Sequence, residues 1–157
     1  MPKPSKLSAE LWVFQLIQAV LAYEWLKSAW GKFMAPDFMN GIDKTLSTFA
    51  SKTPQRWYGD FLGSADATVF GNVTRFSELL VGLGLVFGTV YIWKRLTGPR
   101  IFKLVLPVAL LGGALLNLNF YWAAGWSSPS TAGINLVMGS VQAILGGYYL
   151  WRFKKAA

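Results

Sequence analysis

Four apolar runs, at roughly residues 11–33, 73–93, 102–122 and 131–151, alternate with polar or basic segments along the chain. Each run is about 20 residues long, the length at which an α-helix crosses the roughly 30 Å hydrocarbon layer of a bilayer. The pattern predicts an all-α protein: a single integral membrane domain built as a four-helix transmembrane bundle. The connection over residues 35–72 carries its own helical signal. Phe38, Ile42, Leu46 and Phe49 recur at helical spacing with Asp43, Lys44 and Ser47 between them, which predicts a short amphipathic helix lying on the membrane surface. The aromatic stretch Arg56-Trp57-Tyr58-Gly59-Asp60-Phe61-Leu62 reads as a second interfacial piece.

Small residues mark where the long helices meet. Gly84 and Gly88 form a GxxxG pair on the second run, and Gly139, Ala143 and Gly147 repeat that spacing on the fourth. Lipid supplies no hydrophobic drive between helices, so close approach at such positions packs them.

Charge sets the direction of the runs. Lys3 and Lys6, then Lys94, Arg95, Arg100 and Lys103, then Arg152, Lys154 and Lys155 stand against Glu10 alone. The 35–72 connection balances Lys44, Lys52 and Arg56 with Asp37, Asp43, Asp60 and Asp66. Basic residues stay on the cytoplasmic side, so both termini are expected in the cytoplasm and the long connection outside, in the cell's inner (cytoplasmic) membrane. This distribution accounts for the net charge of +8 without nucleic acid as a partner. Glu24 and Lys27 interrupt the first run and no small-residue cleavage site follows it, so it reads as a span and not as a signal peptide.

Composition adds exclusions. Of 157 residues, 54% are hydrophobic and only 14% charged, against roughly 25% charged in soluble domains. With neither Cys nor His, the chain offers no thiolate or imidazole ligand for haem, iron–sulfur or zinc, and no metal site is expected. Electrons would pass through an organic cofactor, a substrate or a partner subunit. Gly82, Gly84 and Gly88 lie mid-span with no strand before them, so they are not a dinucleotide fingerprint.

Candidate chemistry comes from the polar residues inside the runs, because ionisable groups there are costly. Glu24, Lys27 and Gly31 share one face of the first span, and Asn72, Arg75 and Glu78 share one face of the second. At 1.5 Å per residue, Glu24 and Asn117 lie about 20 Å from the cytoplasmic end, and Glu78 and Asn135 enter from the outside to a similar level. Two readings stand. In one, Glu24 pairs with Lys27 and Glu78 with Arg75 as structural salt bridges. In the other, the layer is a pocket open to the outside, with Glu24 and Glu78 as catalytic carboxylates for proton exchange. Lys27, Lys32 and Arg75 then hold an anion, and Asn117, Asn119 and Asn135 contact a quinone. A quinone head needs a hydrogen-bond donor at each carbonyl and a proton source on reduction. Gln15 and Gln18 fall on other faces and are expected to join helices.

The chain resembles the DoxX/DoxD family of small four-span membrane proteins. The resemblance rests on Ala29-Trp30-Gly31-Lys32-Phe33, Trp57-Tyr58-Gly59-Asp60-Phe61-Leu62 and Glu78-Leu79-Leu80-Val81-Gly82-Leu83. The most specific stretch is Asn117-Leu118-Asn119-Phe120-Tyr121-Trp122-Ala123-Ala124-Gly125, followed by Ser128-Pro129-Ser130-Thr131. Where members often carry an Arg early in the first span, this chain has Gln15 and Gln18. The family includes the small subunit of a thiosulfate:quinone oxidoreductase, so the resemblance implies a membrane subunit of a quinone-linked oxidoreductase, with quinone, membrane lipid and other membrane subunits as partners. The alternative is a non-catalytic accessory subunit of a larger respiratory or photosynthetic complex.

Overall fold

A computed structural model describes residues 9–94, 99 and 101–155. Lys3, Lys6, Arg95 and Arg100, which carry part of the expected topology, lie outside the described residues. The chain forms α1 (Ala9–Met34), α2 (Ile42–Lys52), α3 (Arg56–Ser64), α4 (Ala67–Trp93), α5 (Phe102–Ala124), a 3₁₀ turn (Gly125–Ser127) and α6 (Pro129–Lys155). Among the described residues there is no strand.

The four long helices pack in chain order, α1 on α4, α4 on α5 and α5 on α6. Side chains close the ring between α6 and α1: Gln18 reaches Tyr149, and Phe14 meets Tyr148 edge to face. A core of Leu21, Trp25, Val81, Leu85, Leu106, Leu110 and Leu145 fills the middle. Polar side chains are also inside, namely Gln15, Gln18, Thr74, Glu78, Asn117 and Gln142. Large apolar ones point outward on all four helices: Leu16, Leu80, Leu115 and Ile144 are each more than 60% exposed. The stretches Ala67–Trp93 and Phe102–Ser127 are long and apolar enough to cross a membrane. α1 and α6 match them in length, at 26 and 27 residues, but bring in more polar groups.

Several boundaries differ from expectation, for local reasons. α4 starts at Ala67, six residues before the apolar run, because the Asp66 carboxylate caps it and accepts from the Val69 amide at 2.8 Å. Asp66→Ala is expected to lower stability by about 1 kcal/mol, readable as a small drop in unfolding midpoint of the detergent-solubilised protein. The amphipathic helix expected in the connection is α2. Its apolar side turns onto the protein: Leu46 packs with Tyr58, Leu62 and Ala123, with Phe49 and Trp122 at the edge. Two short helices and the ends of α4 and α5 thus cap one end of the bundle.

The contact stripe of α6 is also rotated from the expected one. A Cβ at Gly146 would lie 2.8 Å from Leu111 Cγ, whereas one at Gly147 would meet nothing within 4 Å. Gly139, Gln142 and Gly146 face α5, and Ala143 and Gly147 face outward. The GxxxG pair of α4 does face α5: a Cβ at Gly84 would lie 2.8 Å from Ala109 Cβ.

Candidate functional site

α1 organises the polar interior. Gln18, Trp25 and Lys32 are seven residues apart, so they share its inward face about 10 Å from one another. Each holds a separate polar group on the other helices.

At the first level, Gln18 Nε2 donates to Tyr149 Oη at 2.7 Å, and Gln18 Oε1 accepts from Thr89 Oγ1 at 2.9 Å. One amide therefore ties α1 to both α4 and α6. At the second level, Asn117 and Gln142 bond to each other at 2.6 Å, and Asn117 Nδ2 sits 3.1 Å from the Gly113 carbonyl. The Trp25 indole can only donate. Turned over to serve it, the Gln142 amide instead accepts from Trp25 Nε1 at 2.7 Å through its oxygen, in place of the bond from Asn117 Nδ2. Gly113 makes room for this group, because any Cβ there would strike the Gln142 amide.

The third level is an ion pair, the one present among the described residues. Lys32 Nζ donates to both carboxylate oxygens of Glu78, at 2.8 and 2.7 Å, and to Ser28 Oγ at 2.8 Å. All three ammonium protons are thus used. Glu78 is 1% exposed and Lys32 24%, so the carboxylate is sealed and its partner leads outward.

Glu78 therefore bonds across helices to Lys32, and not to Arg75 on its own helix. It lies on the stripe of Gly71, Thr74, Gly82 and Leu85 that α4 buries, while Arg75 turns aside. The Arg75 guanidinium donates through Nη2 to Asn72 Oδ1 at 2.6 Å and lies over the rings of Phe33 (4.9 Å) and Phe76 (5.4 Å). Arg75 Nε is buried without a partner.

Glu24 and Lys27 do not enter the bundle, contrary to expectation. With Trp25 inward, they stand roughly 100° and 160° round the helix, and both are exposed. Lys27 Nζ lies 5.6 Å from the Tyr23 ring centre, and the expected Glu24–Lys27 pair is not formed. The three asparagines are also dispersed. Asn117 is central. Asn119, two residues on, presents its carbonyl to Tyr58 Oη at 3.3 Å. Asn135 bonds the Thr131 carbonyl and lines an outer groove of about 470 Å³ between α5 and α6, with Tyr121 and Ser140. A second groove, about 620 Å³ and almost wholly apolar, runs between α4 and α5 from Ile101 to Ser77. In the cap, burial pushes the Tyr58 phenol up to about 12, so it stays a neutral donor.

The expected single polar layer is thus three separate levels. Gln142, Thr89, Tyr149 and Ser28 join it without having been singled out. The signal for Gln142 was present in its spacing from Gly139 and Gly146, which shares their face. Among the described residues no three His, Cys, Asp or Glu side chains cluster closely enough to hold a metal. No family model matches the chain, and neither a curated protein nor a solved structure matches it.

Proposed function

We propose that the chain is a four-span bundle of the cytoplasmic membrane with both termini inside, and that it serves as the membrane subunit of a quinone-linked oxidoreductase. The observation that carries this reading is the sealed Lys32–Glu78 pair in a bundle that exposes large apolar side chains and buries several polar ones within its apolar core. Such an apolar exterior suits lipid as solvent, and an ionisable pair inside a membrane bundle is a functional candidate by default.

Reduction of a quinone takes up two electrons and two protons. The Lys32–Glu78 pair holds its transferable proton on the ammonium; in this reading the proton passes to the quinone by way of the Glu78 carboxylate, and Lys32, 24% exposed, takes up another from the outer side. Electrons come from a donor on a partner subunit, and the resemblance to the DoxX/DoxD family suggests thiosulfate as their source. The two grooves fit the isoprenoid tail of a quinone. The α5–α6 groove also has the polar side chains Tyr121, Asn135 and Ser140 in its lining, and Glu78 lines neither groove, so a proton from the pair reaches a head group there only through intervening groups.

Glu78→Gln keeps the shape of the side chain but removes the carboxylate that can accept and pass on a proton. Quinone reduction per assembled complex should fall roughly 100-fold or more, as for loss of a general acid. An unchanged rate in both Glu78→Gln and Lys32→Met would remove the catalytic reading.

A second reading has its own observation. Glu24 and Lys27 are exposed near the middle of α1, where a charge facing lipid costs at least about 2.5 kcal/mol. Cover by a neighbouring membrane subunit would relieve that cost, which favours an accessory role in a larger complex. Glu24→Gln with Lys27→Met would then alter co-purification of partner chains while turnover per complex stays constant.

A further inference from the structure

The geometry points to an oxoanion site at Arg75, where the C-terminal end of α1 meets the first half of α4: its guanidinium takes a phosphate-type oxoanion, supplied by a lipid headgroup or from solution. Three cations lie in this half of α1 and α4, and their bonding separates them. The ammonium of Lys32 spends its three protons on Glu78 and Ser28. Lys27 stands apart on the outward face, over Tyr23. Arg75 carries five N–H donors in a planar fork. Among the described residues one of them is used, on the neutral Asn72 amide, and no carboxylate lies within ion-pair distance.

Two further features make this a built position and not a solvated surface arginine. The guanidinium carbon lies 4.9 and 5.4 Å from the ring centres of Phe33 and Phe76, whose rings meet edge to face with centres 5.2 Å apart. That platform limits where the fork can turn. Nε is buried with no acceptor and is out of reach of a ligand, so the terminal Nη groups are the donors open to one. A tetrahedral oxoanion supplies several acceptors to one fork, which a single carbonyl cannot do. The net positive charge of the cluster also favours an anion: Lys32 and Glu78 cancel, and Arg75 remains.

The test uses the full chain, delipidated in neutral detergent, and needs no turnover, so it stands or falls apart from the quinone reading. Two probes are titrated, dihexanoyl-phosphatidylglycerol below its micelle concentration and inorganic phosphate, with binding read by thermal shift and native mass spectrometry. The wild type should bind the lipid probe if the anion is a headgroup, and inorganic phosphate as well if it is a solute. R75Q should weaken binding about ten- to hundredfold, the loss of one or two charge-assisted hydrogen bonds, while K27M binds as the wild type does. Should R75Q fail to fold, R75K keeps charge and stem without the fork and should bind about tenfold more weakly. The proposal is overturned if neither probe binds the wild type, or if R75Q, or R75K in its place, binds as tightly as the wild type.

Discussion

Lys32→Met should destabilise the folded bundle by roughly 3–5 kcal/mol, because it strands a carboxylate that has almost no contact with solvent. Glu78 is 1% exposed, and both of its carboxylate oxygens accept from Lys32. Removing the ammonium leaves the acid unpaired, since Arg75 is turned to Asn72 and its aromatic rings. The double substitution Lys32→Met with Glu78→Met should recover most of the loss, as replacement of a whole buried pair by apolar groups is often close to neutral. Unfolding titrations on the wild type, both single variants and the double variant give the coupling energy directly. A single Lys32→Met as stable as the wild type would show that the pair does not hold α1 to α4. The cycle also bears on function. If the double variant is stable but inactive in quinone reduction, the pair is retained for chemistry and not for packing.

Legibility in the sequence followed the periodicity of each element. The four long helices were readable because their apolar runs are long and their ends are marked by charge or by Pro and Ser. The start of α4 was displaced because Ala67–Asn72 is only moderately apolar, and the signal that fixes it is one capping carboxylate, Asp66. The orientation of α1 was harder. Glu24 and Lys27 were drawn inward by the rule that membrane charges face the interior. The true inward face carries Gln18, Trp25 and Lys32, an amide, an indole and a single charge, which no hydropathy measure ranks together. Pairing across helices was not readable at all: Glu78 has Arg75 at helical spacing, and nothing in the sequence shows that Lys32, 46 positions earlier, lies closer. Local spacing proposes partners only within one helix. Register between helices is set by where the small residues let backbones approach.

That register is testable through two glycines that the sequence presents alike. A Cβ at Gly88 would lie 2.6 Å from Leu106 Cβ and 2.8 Å from Leu106 Cα, so the obstacle includes backbone that cannot swing aside. Gly88→Leu should therefore push α4 from α5 and cost roughly 3 kcal/mol or more, at the upper end of overpacking effects. The damage should reach the pair above it, since Thr89 next to Gly88 bonds Gln18 at 2.9 Å and moves with the helix. Gly147 also belongs to a small-residue spacing, yet a Cβ there meets nothing within 4 Å. Gly147→Leu should stay within about 0.5 kcal/mol of the wild type, as outward substitutions do. Unfolding midpoints of the two variants, measured side by side in one detergent, compare a glycine used for contact with one that is not. Equal losses at both positions would mean that α6 turns its Gly147 face to a neighbour, and that the stripe through Gly139, Gln142 and Gly146 is not what seats it on α5.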